Sequence, residues 1–140
     1  MATDLWDVVA AANGGTLATI KRDGRPQLSD INYTADSGTR VVRISTRDPL
    51  AKTHNLRRDP RASLHVPGPG GAGYVVAEAN TELSAVAADE QDAIVEELIE
   101  VYRLVQGKDH PDWADYRAAM VRDRRTVVRL RPTHVYGMIR

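Results

Sequence analysis

The alternation of apolar and polar positions divides the chain into short strand-like runs with helical stretches between them. Thr16 to Arg22 alternates with the two-residue period of a half-buried strand, Asp23-Gly24 is a hairpin turn signal, and Arg25 to Ala35 is the returning strand. Asp36-Ser37-Gly38 turns the chain into a third run, Thr39 to Ser45, so the expectation here is a three-stranded antiparallel meander. Ahead of it, Thr3 caps a short helix over Asp4 to Asn13 that Gly14 and Gly15 end. After it, Arg61 to Val66 and Tyr74 to Ala87 read as strands around a loop from Pro67 to Gly73.

The period then changes. From Asp89, residues Ile94, Leu98, Val101, Tyr102 and Val105 fall on one helical face, which Gly107 closes. Pro111 to Val121 is a second helical piece, and Thr126 to Leu130 followed by His134 to Ile139 returns to strand, with Pro132 marking a bend or an edge. The plan is mainly β with helices at the periphery, in a single domain spanning residues 1–140.

One connection stands out chemically. Residues 45–66, STRDPLAKTHNLRRDPRASLHV, place hydroxyls and cations between two strands, and Asp48-Pro49 is a helix-start signal for a helix over Pro49 to Arg58. First-turn N–H groups lack intrahelical partners, so Ser45, Thr46, Arg47 and Lys52 beside them suit a phosphate; the competing reading is a solvated surface connection.

Composition narrows the chemistry. The chain has no cysteine, which removes disulfides, thiolate metal sites and a thiol nucleophile, and its four histidines lack metal-ligand spacing. Nineteen basic residues balance nineteen acidic ones, so overall charge makes no case for nucleic acid. From Ala62 through Tyr102 there is no lysine or arginine, and most of the acids of that stretch read as a solvated helix face; the competing reading brings the basic residues on either side together as two positive surfaces across the fold or a dimer. No run is apolar enough to span a bilayer and the first residues carry acids, so no membrane partner and a cytoplasmic location are expected.

Motifs for self-contained chemistry are missing. Gly68 to Gly73 fits G-x-G-x-x-G literally but opens no helix, so it reads as a hairpin loop. There is no G-x-S-x-G elbow, no H-E-x-x-H and no carboxylate pair spaced for acid–base work, so no catalytic residue is assigned and a bound organic cofactor must carry any reaction. Trp113 reads either as a core anchor or as an aromatic lid, and Asp123-Arg124-Arg125 either as an exposed charge cluster or as a ligand contact.

The runs GRPQLSDINY (24–33), AKTHNLRRDPRASL (51–64) and DRRTVVRLRPTHVYG (123–137), taken in order, resemble the actinobacterial, coenzyme F420-dependent branch of the pyridoxamine 5′-phosphate oxidase-like superfamily. The resemblance implies a split β-barrel, antiparallel, forming a homodimer with two cofactor sites at the subunit interface. It implies a cofactor phosphate on Ser45, Thr46, Arg47 and Lys52, a ring near Gln27, Ser29, Ile31 and Asn32, and contributions from Tyr74, Trp113 and Arg125 of the partner chain. Lys52 matches a family lysine, whereas Leu50 stands where many relatives carry a second basic residue. The activity implied is hydride transfer between F420 and a small conjugated or carbonyl-activated acceptor, Arg47, Lys52, Arg57 and Arg58 complementing the acidic tail of the coenzyme. The alternatives are an FMN-dependent oxidase or reductase of the pyridoxamine-phosphate oxidase type, and a non-enzymatic carrier of F420 or a tetrapyrrole.

Overall fold

The computed structural model describes residues 4–139. Helix α1 (Leu5–Ala11) starts on Asp4, whose carboxylate accepts the Trp6 N–H at 2.9 Å; Thr3, the expected cap, lies outside the described residues. The helix stops earlier than expected, because Gly14 and Gly15 open strand β1 (Gly14–Ile20) rather than close the helix. A Cβ at Gly15 would stand 2.6 Å from the His65 carbonyl, so this close strand approach requires glycine. Strand β2 (Pro26–Asn32) returns antiparallel through the expected Asp23-Gly24 turn, Gly24 taking φ +88°.

The meander does not form. The run expected as one strand breaks at Tyr33: β2 stays on β1, and the two-residue β3 (Thr34–Ala35) pairs instead with β4 (Val42–Arg47). With β5 (Arg61–Pro67), β6 (Gly73–Leu83) and β7 (Arg125–Ile139), the hydrogen-bonded order is β2-β1-β5-β6-β7-β4-β3, antiparallel throughout. Because β2 and β3 occupy opposite ends of this order yet are separated only by Tyr33, the sheet must curl until its two ends meet. The result is a split barrel. Tyr33 pins the corner: it is fully buried, its N–H donates to the Asn13 carbonyl at 2.9 Å and its hydroxyl to the Val9 carbonyl at 2.7 Å.

The helices plug and cover this barrel. Trp6, Val8 and Val9 of α1 join Leu17, Ile44, Leu64, Val75 and Leu130 in the barrel core. Helix α2 (Ala51–Arg58) starts two residues later than expected, with no side-chain cap, because the Asp48 carboxylate is drawn instead into ion pairs with Arg57 and Arg124. Buried Asn55 ties α2 to the barrel, donating to Thr19 Oγ1 at 3.1 Å and Gln27 Oε1 at 2.9 Å. Strand β6 ends at Leu83, short of the expected Ala87, and α3 (Ala93–Gln106) begins on Asp92 rather than Asp89. Gly107 ends α3 at φ +70°, as its position in the sequence suggests. With α4 (Trp113–Arg122), α3 forms a second core of Val95, Leu98, Ile99, Tyr116 and Met120 over Val127 of β7.

Strand β7 runs through Pro132. Pairing with β4 ends at Leu130 and the register with β6 shifts beside Ala79, so the proline sits at a bulge and a locally free edge. The Gly68–Gly73 segment is a hairpin loop, with Gly73 at φ +74° and no room for a Cβ, which would meet the Met138 carbonyl at 2.1 Å.

Candidate functional site

The seam where the two ends of the sheet meet opens into a cavity of about 370 Å³. One wall comes from the sheet and α2: Asp30, Ile31 and Asn32 of β2, Ser45 of β4, Lys52 of α2 and Arg125 at the start of β7. The other wall is helical, with Val101, Tyr102, Val105 and Gln106 of α3 facing Tyr116 and Met120 of α4. Charged and polar groups therefore oppose an apolar, aromatic surface.

Two cations of the first wall have no ion-pair partner among the described residues. Five basic residues among those described are half-buried. Arg43 pairs with Glu97 and Glu100, Arg117 with Glu96, and Arg129 with Glu82 and Glu97. The other two, Lys52 and Arg125, have no acidic partner among the described residues, and both line this cavity. Arg125 reaches Ser45 Oγ at 3.4 Å through Nη1, while its Nε is buried without a hydrogen bond. Burial, and then the charge of Arg125, hold the Lys52 amine below its ordinary pKa. Asp30 brings one carboxylate to the rim, where it accepts the Thr16 hydroxyl at 3.1 Å.

Such an arrangement can hold an anion. Two half-dehydrated cations repel each other until a phosphate or carboxylate lies between them, and each charge-assisted bond then contributes about 1.5–3 kcal/mol if water is kept out. The helical wall supplies that exclusion and an apolar bed for a flat group. Burial also pushes the Tyr116 phenol up to about 12, and its hydroxyl donates to the Leu98 carbonyl at 3.0 Å.

Of the residues singled out from the sequence, Ile31, Asn32, Ser45 and Lys52 come together here, joined by Arg125 of the same chain, where the resemblance implied the partner's copy. The others lie elsewhere. Gln27 accepts from Asn55, Ser29 sits opposite Leu17 in the β1–β2 ladder, and Thr46 is buried with its hydroxyl 3.2 Å from that of Thr53. Arg47 is exposed at the end of β4. Tyr74 stacks on His65 on the outer sheet face, and Trp113 stands behind the helical wall, edge-on to Tyr102 and Tyr116 at 5.7 and 5.4 Å. Arg57 and Arg58, expected to meet an acidic tail, are engaged internally: Arg57 with Asp48, Arg58 with the Ile20 carbonyl at 2.8 Å and with Asn55. Sequence reasoning missed the helical wall, since Val101, Tyr102 and Val105 read as core. Its one signal was Gln106, a polar group four residues beyond Tyr102 on an otherwise apolar face.

A larger hollow of about 430 Å³ opens on the outer sheet face beside Ala18, Ser63 and Glu78. Its arginine, Arg61, is tied to Asp59 through Nε and Nη2, so among the described residues no free cation faces it.

The family model for pyridoxamine 5′-phosphate oxidase matches residues 3–139. The chain belongs to that family. Solved structures of similar fold include a conserved hypothetical protein of Mycobacterium tuberculosis, at 24% identity over 98% of this chain and 84% of that one, with TM-score 0.71. An F420 reductase matches at 20% identity over 97% and 98% of the two chains, with TM-score 0.66. A FAD-binding protein of Mesorhizobium loti matches at 22% identity over 94% and 87%, with TM-score 0.63. At these identities the likeness is one of fold. Among the described residues of this pyridoxamine 5′-phosphate oxidase-family chain, no helix is long and apolar enough to cross a membrane.

Proposed function

We propose that this chain is a cytoplasmic, homodimeric oxidoreductase that binds coenzyme F420 in the seam cavity and serves hydride transfer to a small conjugated or carbonyl-activated acceptor. The observation that carries the reading is the pair of half-buried, acid-free cations, Lys52 and Arg125, lining one cavity with Ser45. When bound, the deazaflavin ring supplies the hydride chemistry, which agrees with the lack of hydrolytic motifs in this chain.

The protein's own part is binding and orientation. Lys52 and Arg125 hold an anionic group, Ser45 adds a hydroxyl, and Ile31 with Val101, Val105 and Met120 provides an apolar surface that sheds water around a planar ring. A cavity of about 370 Å³ is near the lower end for ligand pockets, roughly 300–1,000 Å³, so one protomer encloses only part of such a coenzyme. A second copy supports the remainder. Of the exposed large hydrophobics, Leu28, Tyr74, Tyr136 and Met138 share the outer sheet face, the patch that a partner would cover.

A second reading, FMN in the same cavity, is favoured by the two cations themselves, which suit the dianion of a phosphomonoester. Titration separates the two. The purified protein is expected to be colourless and to quench F420 fluorescence saturably, with weaker FMN binding; a yellow protein that ignores F420 selects FMN. Oxidation of reduced F420 by a panel of enones and quinones then tests turnover, and binding without turnover on any of them marks a carrier.

A further inference from the structure

Tyr102 occupies an unusual position among the tyrosines of this chain. The two buried phenols are committed to main-chain carbonyls, Tyr33 to Val9 and Tyr116 to Leu98. Tyr74 and Tyr136 lie exposed on the outer sheet face. Tyr102 is half-buried, lines the seam cavity, and its hydroxyl has no hydrogen-bond partner among the described residues.

Its ring is nevertheless held on several sides. His110, Trp113 and Tyr116 meet it with centroids 5.3, 5.7 and 5.2 Å away and planes inclined at 65°, 80° and 63°. Edge-to-face contacts of this kind each contribute about 0.5–1.5 kcal/mol, so the ring is fixed by packing and not by its hydroxyl. His110 is itself anchored, its Nδ1 accepting the Asp112 N–H at 2.9 Å. A rigid ring with an uncommitted O–H on a cavity wall is a preorganised donor.

The opposite wall decides what it faces. Lys52 and Arg125 attract an anion to the sheet side, so a ligand with a phosphate at one end and a flat group at the other lays the flat group along α3 and α4. We propose that the Tyr102 phenol donates a hydrogen bond to a carbonyl oxygen at the edge of a planar heterocycle bound in this cavity, and thereby sets the tilt of that ring. The proposal rests on the cofactor reading above but not on the choice between a flavin and a deazaflavin, both of which carry ring carbonyls.

The test compares Tyr102→Phe, which keeps the aromatic packing, with Tyr116→Phe, which removes a hydroxyl spent inside the protein. Oxidised F420 and FMN are titrated into each variant, the absorption band of the bound coenzyme is recorded, and ligand-free melting is measured. Tyr102→Phe is expected to weaken the coenzyme that binds by about three- to tenfold, to move its bound absorption band, and to leave melting unchanged. Tyr116→Phe is expected to lower melting by about 2–4 °C. Wild-type affinity and an unmoved band in Tyr102→Phe overturn the role of Tyr102 while leaving the cofactor reading intact. A wild-type protein that binds neither coenzyme overturns the cofactor reading, and this proposal with it.

Discussion

Replacing Lys52 with methionine separates a ligand-binding cation from a structural one. The substitution keeps the length and apolar stem of the side chain and removes its charge. If Lys52 grips an anion in the seam cavity, one charge-assisted contact is lost. Such contacts are worth about 1.5–3 kcal/mol when shielded, or about 12- to 150-fold in affinity, and the half-exposed position of Lys52 puts the effect near tenfold. The ligand-free protein responds with the opposite sign. Burial and the neighbouring Arg125 hold the folded-state amine below its ordinary pKa, so its charge opposes folding at neutral pH. That opposition fades as pH rises from the lowered value towards the ordinary lysine range. Lys52→Met is therefore expected to melt at the same temperature as wild type or above it, while F420 or FMN affinity, read by fluorescence titration in low salt, falls about tenfold. A narrower affinity gap in high salt accompanies this. A variant that melts several degrees lower with unchanged affinity would falsify the assignment, because Lys52 would then be a packing residue.

The remaining predictions concern assembly and stability. Light scattering at micromolar concentration is expected to give twice the 15.4 kDa chain mass, and Tyr136→Asp on the outer sheet face to shift it towards one chain; a single-chain mass for wild type removes the dimer. Asp48→Asn is expected to destabilise the fold at neutral pH, since Arg57 and Arg124 hold the Asp48 carboxyl below its usual range. That stabilisation is present above the ordinary carboxylate pKa and lost as pH falls through the lowered one, so wild type and variant should melt alike in strong acid, and a pH-independent gap contradicts the ion pairs. Tyr33→Phe removes the buried bond to the Val9 carbonyl and should cost about 1–2 kcal/mol in urea unfolding, whereas no change would mean that the hydroxyl plays no part in holding the barrel corner.

Much of this was legible in the sequence because it is local. The Asp23-Gly24 hairpin, the Gly107 helix end and the alternation of β5 depend on residues within a few positions of one another. The matches at 24–33, 51–64 and 123–137 pointed to the family that the model over residues 3–139 shows. The errors came where distant groups compete. Asp48 had the form of a helix cap, but Arg57 and Arg124 offer its carboxylate full charges in place of a backbone N–H. Arg25 to Ala35 alternates as one strand, yet burying Tyr33 at the corner divides it between the two ends of the sheet.

By itself, then, the sequence determined the element types, the antiparallel β-rich plan and the family, since periodicity, caps and ordered motifs are carried by neighbouring residues. Only the tertiary structure decided which charges are free. Arg43, Arg117 and Arg129 resemble Lys52 and Arg125 on paper, and they differ because α3 presents glutamates to the first three while the seam presents none to the last two. A side chain's electrostatic fate depends on which partners the curled sheet brings within reach, and that is settled by the closure of the barrel rather than by any stretch of the chain.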